Sequence, residues 1–75
     1  MTTNAIVLGA GMVGSVIAED LAASGFNVIV ADVSASALAR VSERSNGLIS
    51  IKEADCSDQS TIATLVQDVD IVFGA

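Results

Sequence analysis

The chain has no proline, histidine, tryptophan or tyrosine, a single cysteine, and three basic side chains among its 75 residues. Each shortage removes a class of function. Without histidine, and with Cys56 alone as a soft ligand, a zinc site has too few donors, and no catalytic set of nucleophile, base and orienting group can be assembled. Cys56 cannot form an internal disulfide, so a stapled secreted scaffold is excluded and a reducing cytoplasm is the expected setting. Arg40, Arg44 and Lys52 stand against nine acidic residues, for a net charge of −6. No basic patch exists to hold a nucleic-acid backbone by counterion release, so nucleic acid is not an expected partner.

What is present is apolar. Hydrophobic residues make up 52 % of the chain and charged ones 16 %, a globular composition rather than a disordered one. At this length the expectation is one small domain spanning 1–75, with a marginal core. The first 18 residues carry no charged side chain, yet they lack the basic start of a secretory leader. Gly9, Gly11 and Gly14 interrupt them, and Glu19 and Asp20 arrive before the ~20 apolar residues a membrane span needs. Neither a leader nor a membrane segment is expected.

Four short apolar runs recur about every twenty residues: Ala5 to Leu8, Val28 to Ala31, Leu48 to Ile51 and Asp70 to Phe73. Three of them are β-branched and nearly continuous, the character of strands buried on both faces of a parallel sheet. Between the first two, Val13, Ile17 and Leu21 with Val16 offer a stripe at helical spacing from Met12 to Ser24, and Gly25 stands where a helix commonly stops. Ser34 can cap a second helix carrying Leu38 and Val41, and Ser57 or Asp58 a third carrying Ile62, Leu65 and Val66. The order β-α-β-α-β-α-β, with right-handed crossovers, predicts an α/β fold: a Rossmann-type parallel sheet, here its first half.

Gly9, Gly11 and Gly14 fall at the turn from the first strand into the first helix, the context that lifts a GxGxxG pattern above chance. Gly9 permits the tight turn, Gly11 lets a pyrophosphate approach the backbone, and Gly14 lets the helix lie close on the strand. The free amides of about Met12 and Val13 would hold the anion, a local attraction that a net acidic chain needs. No lysine and hydroxyl residue follow the loop, which argues against a triphosphate P-loop. A dinucleotide is the expected ligand.

Asp32 lies 18 residues past Gly14, at the end of the second strand, near the ~20-residue offset expected of the carboxylate that binds the adenosine ribose. A 2′-phosphate beside it would be repelled, by about 4 kcal/mol for unit charges ~4 Å apart at an effective dielectric of ~20. No arginine follows at once, and Arg40 is more than two helical turns along, so the expected cofactor is NAD in preference to NADP. After the third strand, Asp55 can accept the adenine amino group or serve the cap of the next helix, and Cys56 reads as a buried or adenine-facing thiol rather than a nucleophile.

The stretches VLGAGMVGSVIAEDLA, VIVAD, EADCSD and LVQDVDIVFGA resemble the opening segment of the saccharopine dehydrogenase family, over essentially the whole chain. The resemblance implies that Gly9, Ala10, Gly11, Met12 and Val13 line the cofactor, Asp32 its ribose, Asp55 and Cys56 its adenine side, and Gly74 and Ala75 a loop over it. It implies an oxidoreductase that exchanges hydride between nicotinamide and an amino acid or secondary amine, with the substrate domain absent from these 75 residues and the segment inactive alone. An alternative of another class is the nucleotide-sensing domain of potassium channels and transporters, which shares the glycine turn and the strand-end acid without catalysis. An uncovered outer edge on the fourth strand makes a homodimer the expected assembly.

Overall fold

The computed structural model describes residues 3–74. Its elements run β1 (Asn4–Leu8), α1 (Met12–Ala23), β2 (Asn27–Asp32), α2 (Ala35–Arg44), β3 (Ser50–Glu53), α3 (Gln59–Leu65) and β4 (Ile71–Gly74). All neighbouring strands are parallel, in the order β3-β2-β1-β4. The chain therefore steps outward twice from β1 and then returns across it. With right-handed crossovers, that reversal places α1 and α2 on one face of the sheet and α3 on the other. It also opens a crevice beyond the strand ends at β1, where ligands of open α/β sheets bind.

Register follows from the apolar runs. Ala5, Ile6, Val7 and Leu8 pair with Val28, Ile29, Val30 and Ala31 on one side and with Ile71, Val72, Phe73 and Gly74 on the other. The innermost strands are sealed: Ala5, Ile6, Val7, Val28, Val30 and Ala31 expose nothing. Val7, Val28 and Val30 meet Ala18 of α1, Leu38 and Val41 of α2, and Ile49.

The buried stripe of α1 differs from the one its spacing predicts. Gly14, Ser15 and Ala18 are its buried residues, while Val13 is 66 % exposed and Val16 lies in solvent. Small side chains let the helix axis come close to the sheet, and Ile17 and Leu21 then pack at the margins of the contact. Ser15, polar and buried, satisfies its hydroxyl on the Met12 carbonyl at 3.0 Å. Gly25, at φ 91°, ends the helix: its amide reaches the Ala22 carbonyl and that of Phe26 the Leu21 carbonyl, the paired bonds of a Schellman turn.

The third strand is displaced two residues from the expected Leu48 to Ile51. Leu48 is 78 % exposed and belongs to a turn, its amide bonded to the Ser45 carbonyl, whereas Ile49 alone turns into the core. β3 is an edge strand with all four residues exposed, so it needs no continuous apolar run. Among the described residues no helix is long and apolar enough to cross a membrane.

Candidate functional site

Three turns converge at the carboxyl ends of β1, β2 and β3. Gly9 has φ 122°, a conformation closed to residues with a Cβ, and its amide donates to the Ala31 carbonyl at 2.8 Å, turning the chain back over β2. The same carbonyl receives the Cys56 thiol at 3.6 Å, from the turn after β3. The Ala54 amide donates to the Asp32 carbonyl at 2.9 Å. The ends of β2 thus tie the glycine turn to the turn after β3.

Asp32 does the rest with its side chain. One carboxylate oxygen accepts the Ala10 amide at 2.7 Å and the other the Ser34 amide at 2.9 Å. These bonds, that of Ala10 foremost, hold its pKa below the ordinary carboxylate value and outweigh the opposing effect of burial. Each oxygen keeps a further lone pair, so hydroxyl donors can still reach it.

Gly11 is the N-cap of α1, with φ −71° and ψ −170°, and among the described residues no side chain caps the helix. The first-turn amides have no carbonyl one turn earlier to receive them. A Cβ at Gly11 would meet nothing within 4 Å among the described residues, and its backbone is one any residue adopts. Nothing within the fold requires glycine there. The space beside it is therefore available to a group that must come close to the backbone, as a pyrophosphate would. Met12 and Val13 project from the same turn into solvent, while Gly14 is buried against the sheet.

Asp55 is exposed, and one of its oxygens takes both the amide and the hydroxyl of Ser57, at 2.9 and 2.6 Å. The hydroxyl, then the amide, pulls its pKa down. The cap of α3 is Asp58, which accepts the Ser60 amide. Cys56 is half-buried, and burial, then the charges of Asp32 and Asp55, push its thiol up, which keeps it protonated and a donor. Gly74 closes β4, level with Leu8 at the same sheet edge. Ala75, also expected at the site, lies outside the described residues.

One part of the site is missing from the sequence reading. Ala10, Gly11 and Met12 form one wall of a cleft of about 260 Å³ whose other wall is α2, with Ala37, Arg40 and Arg44. Arg40 follows the strand end by eight residues, yet it faces the cleft that the glycine turn also lines. Positions 37, 40, 41 and 44 share one helix face, and that spacing was the available signal. Arg44 pairs with Glu19 of α1 at 3.2 Å.

Residues 5–75 match the family model described as the saccharopine dehydrogenase NADP binding domain. No curated protein matches the chain. The family match overturns the expected preference for NAD over NADP. That expectation treated Asp32 as a bare charge with no cation nearby. In the fold its carboxylate is shared between two amides, and two arginines line the cleft beside the glycine turn.

Proposed function

This chain belongs to the saccharopine dehydrogenase NADP-binding domain family, and we propose that it holds the adenosine and pyrophosphate part of NADP for an oxidoreductase acting on an amino acid or a secondary amine. NADP supplies the hydride chemistry. The chain's own residues bind and orient: the first-turn amides of α1 meet the pyrophosphate, and Asp32 meets the free 3′-hydroxyl of the adenosine ribose while fixing the turn through the Ala10 amide. The turn after β3, with Asp55 and Cys56, borders the adenine side. The observation that carries this reading is Gly11, where the helix start is uncapped and the space a side chain would fill stands open.

The test is direct. The full-length protein, titrated with NADP, should bind it and should reduce it in the presence of an amino acid or a secondary amine, followed by the absorbance of the reduced nicotinamide. Binding without turnover on any such substrate would remove the enzymatic part of the reading, and failure to bind NADP would remove all of it.

A further inference from the structure

We infer that Arg40 reads the 2′-phosphate of the cofactor from α2, in the cleft it shares with Ala10, Gly11 and Met12. The inference rests on the NADP reading above and adds to it the residue that distinguishes NADP from NAD. A phosphate dianion in a chain of net charge −6 needs a local cation, and three are available. Lys52 lies in a different groove, with Ser60, Thr61 and Thr64 of α3. Arg44 shares the cleft but is tied to Glu19 at 3.2 Å, which offsets its charge. Arg40 has no carboxylate at ion-pair distance among the described residues, and its side chain faces the same cleft as the glycine turn.

The surroundings fit the assignment. Val33, the residue directly after Asp32, is exposed and uncharged, so the strand end itself offers no cation to a phosphate on the ribose. Ala37, one turn before Arg40 on the cleft side of α2, is small and buried, which leaves the space between the glycine turn and the guanidinium open. A guanidinium presents paired donors that match two phosphate oxygens at once. Asp32 holds the Ala10 amide, and Ala10 lines the cleft, so the strand-end carboxylate and the cleft adjoin through that residue.

The experiment is calorimetric titration of the full-length protein with NADP and with NAD, for the wild type and for Arg40→Ala, Arg40→Lys, Arg44→Ala and Lys52→Ala. Arg40→Ala should lose roughly tenfold or more in NADP affinity, about 1.4 kcal/mol, with NAD affinity unmoved, and Arg40→Lys should recover part of the loss. Arg44→Ala should lose less and Lys52→Ala nothing. Circular dichroism guards against unfolding, which an exposed side chain such as Arg40 should not cause. An unchanged NADP to NAD ratio in Arg40→Ala overturns the inference while leaving NADP binding intact. An equal loss in Lys52→Ala overturns it as well, because the effect would then be general charge. A wild type that binds neither dinucleotide refutes the function proposed above instead.

Discussion

The starts of α1 and α2 lie on the same face of one sheet and are built in opposite ways. α2 begins at Ser34, whose hydroxyl accepts the Ala37 amide at 3.2 Å while its own amide donates to Asp32. α1 begins at Gly11, which has no side chain to give. α3 follows α2, with Asp58 closing its first turn. Where a helix start serves only the fold, a short polar side chain satisfies its amides; where the start is left bare beside open space, the missing acceptor is expected from outside. A cap is worth typically ~1 kcal/mol, so the bare start of α1 is a cost to stability that ligand binding can offset.

Gly11→Val should therefore produce the largest separation between folding and binding. The valine Cβ meets nothing within the protein and its backbone is in the extended region, so circular dichroism and thermal melting should stay near those of the wild type. The branched side chain fills the approach to the first-turn amides, and NADP affinity should fall more than about 100-fold, ~2.8 kcal/mol. Retained affinity in calorimetry would show that the cofactor does not come close at Gly11.

Asp32→Ala comes next, because it strikes both starts at once. Removing the carboxylate strands the amide of buried Ala10 and also frees that of Ser34. An unsatisfied buried donor costs ~1–3 kcal/mol, so denaturant melts should shift by that amount and NADP binding should weaken together with them. A variant as stable as the wild type would mean that the carboxylate does not brace the glycine turn.

How far these features could be read from residues alone divides along the range of the interactions involved. The strand and helix order was legible because β-branched runs, Gly25 and the caps of α2 and α3 act over a few residues. The close approach of α1 at Gly14 and Ala18 was legible too, and Ile17 and Leu21 pack at its margin, but which of Val13 and Val16 would be left in solvent depends on a sheet formed by distant residues. Leu48 and Ile49 look alike in a string of letters, and only the turn that leads into β3 exposes the first and buries the second. The glycine turn and Asp32 stood out by spacing, yet the bond from the Ala10 amide to Asp32 spans 22 residues and has no local signature. The same holds for Arg40, whose distance along the chain hides the cleft it shares with the turn.

Ser34→Ala sharpens the contrast from the other side. It deletes the cap of α2 and should cost about 1 kcal/mol in denaturant melts. The backbone amide that meets Asp32 remains, so NADP affinity should change little, unlike the Gly11 variant. A large loss of affinity in Ser34→Ala, at constant stability, would assign the hydroxyl to the cofactor rather than to the helix.

The smallest expected effect is on acid stability. Asp32 is bonded to amides in the fold, Ala10 foremost, so its folded pKa lies below its unfolded value. A lowered folded pKa stabilises the native state above the unfolded pKa, and that contribution is lost as pH falls through the folded one. Stability should therefore be flat from neutrality down to about pH 5 and decline below about pH 4. Asp55 and Asp58, lowered by Ser57 and Ser60, push the same way, but both are fully exposed and added salt should mute their share. Asp32→Asn should be less stable at neutral pH and flatter in acid, so that its urea midpoint converges with that of the wild type as pH falls. Parallel curves, offset equally at every pH, would mean that the amides of the glycine turn and of α2 hold Asp32 for its shape and gain nothing from its charge.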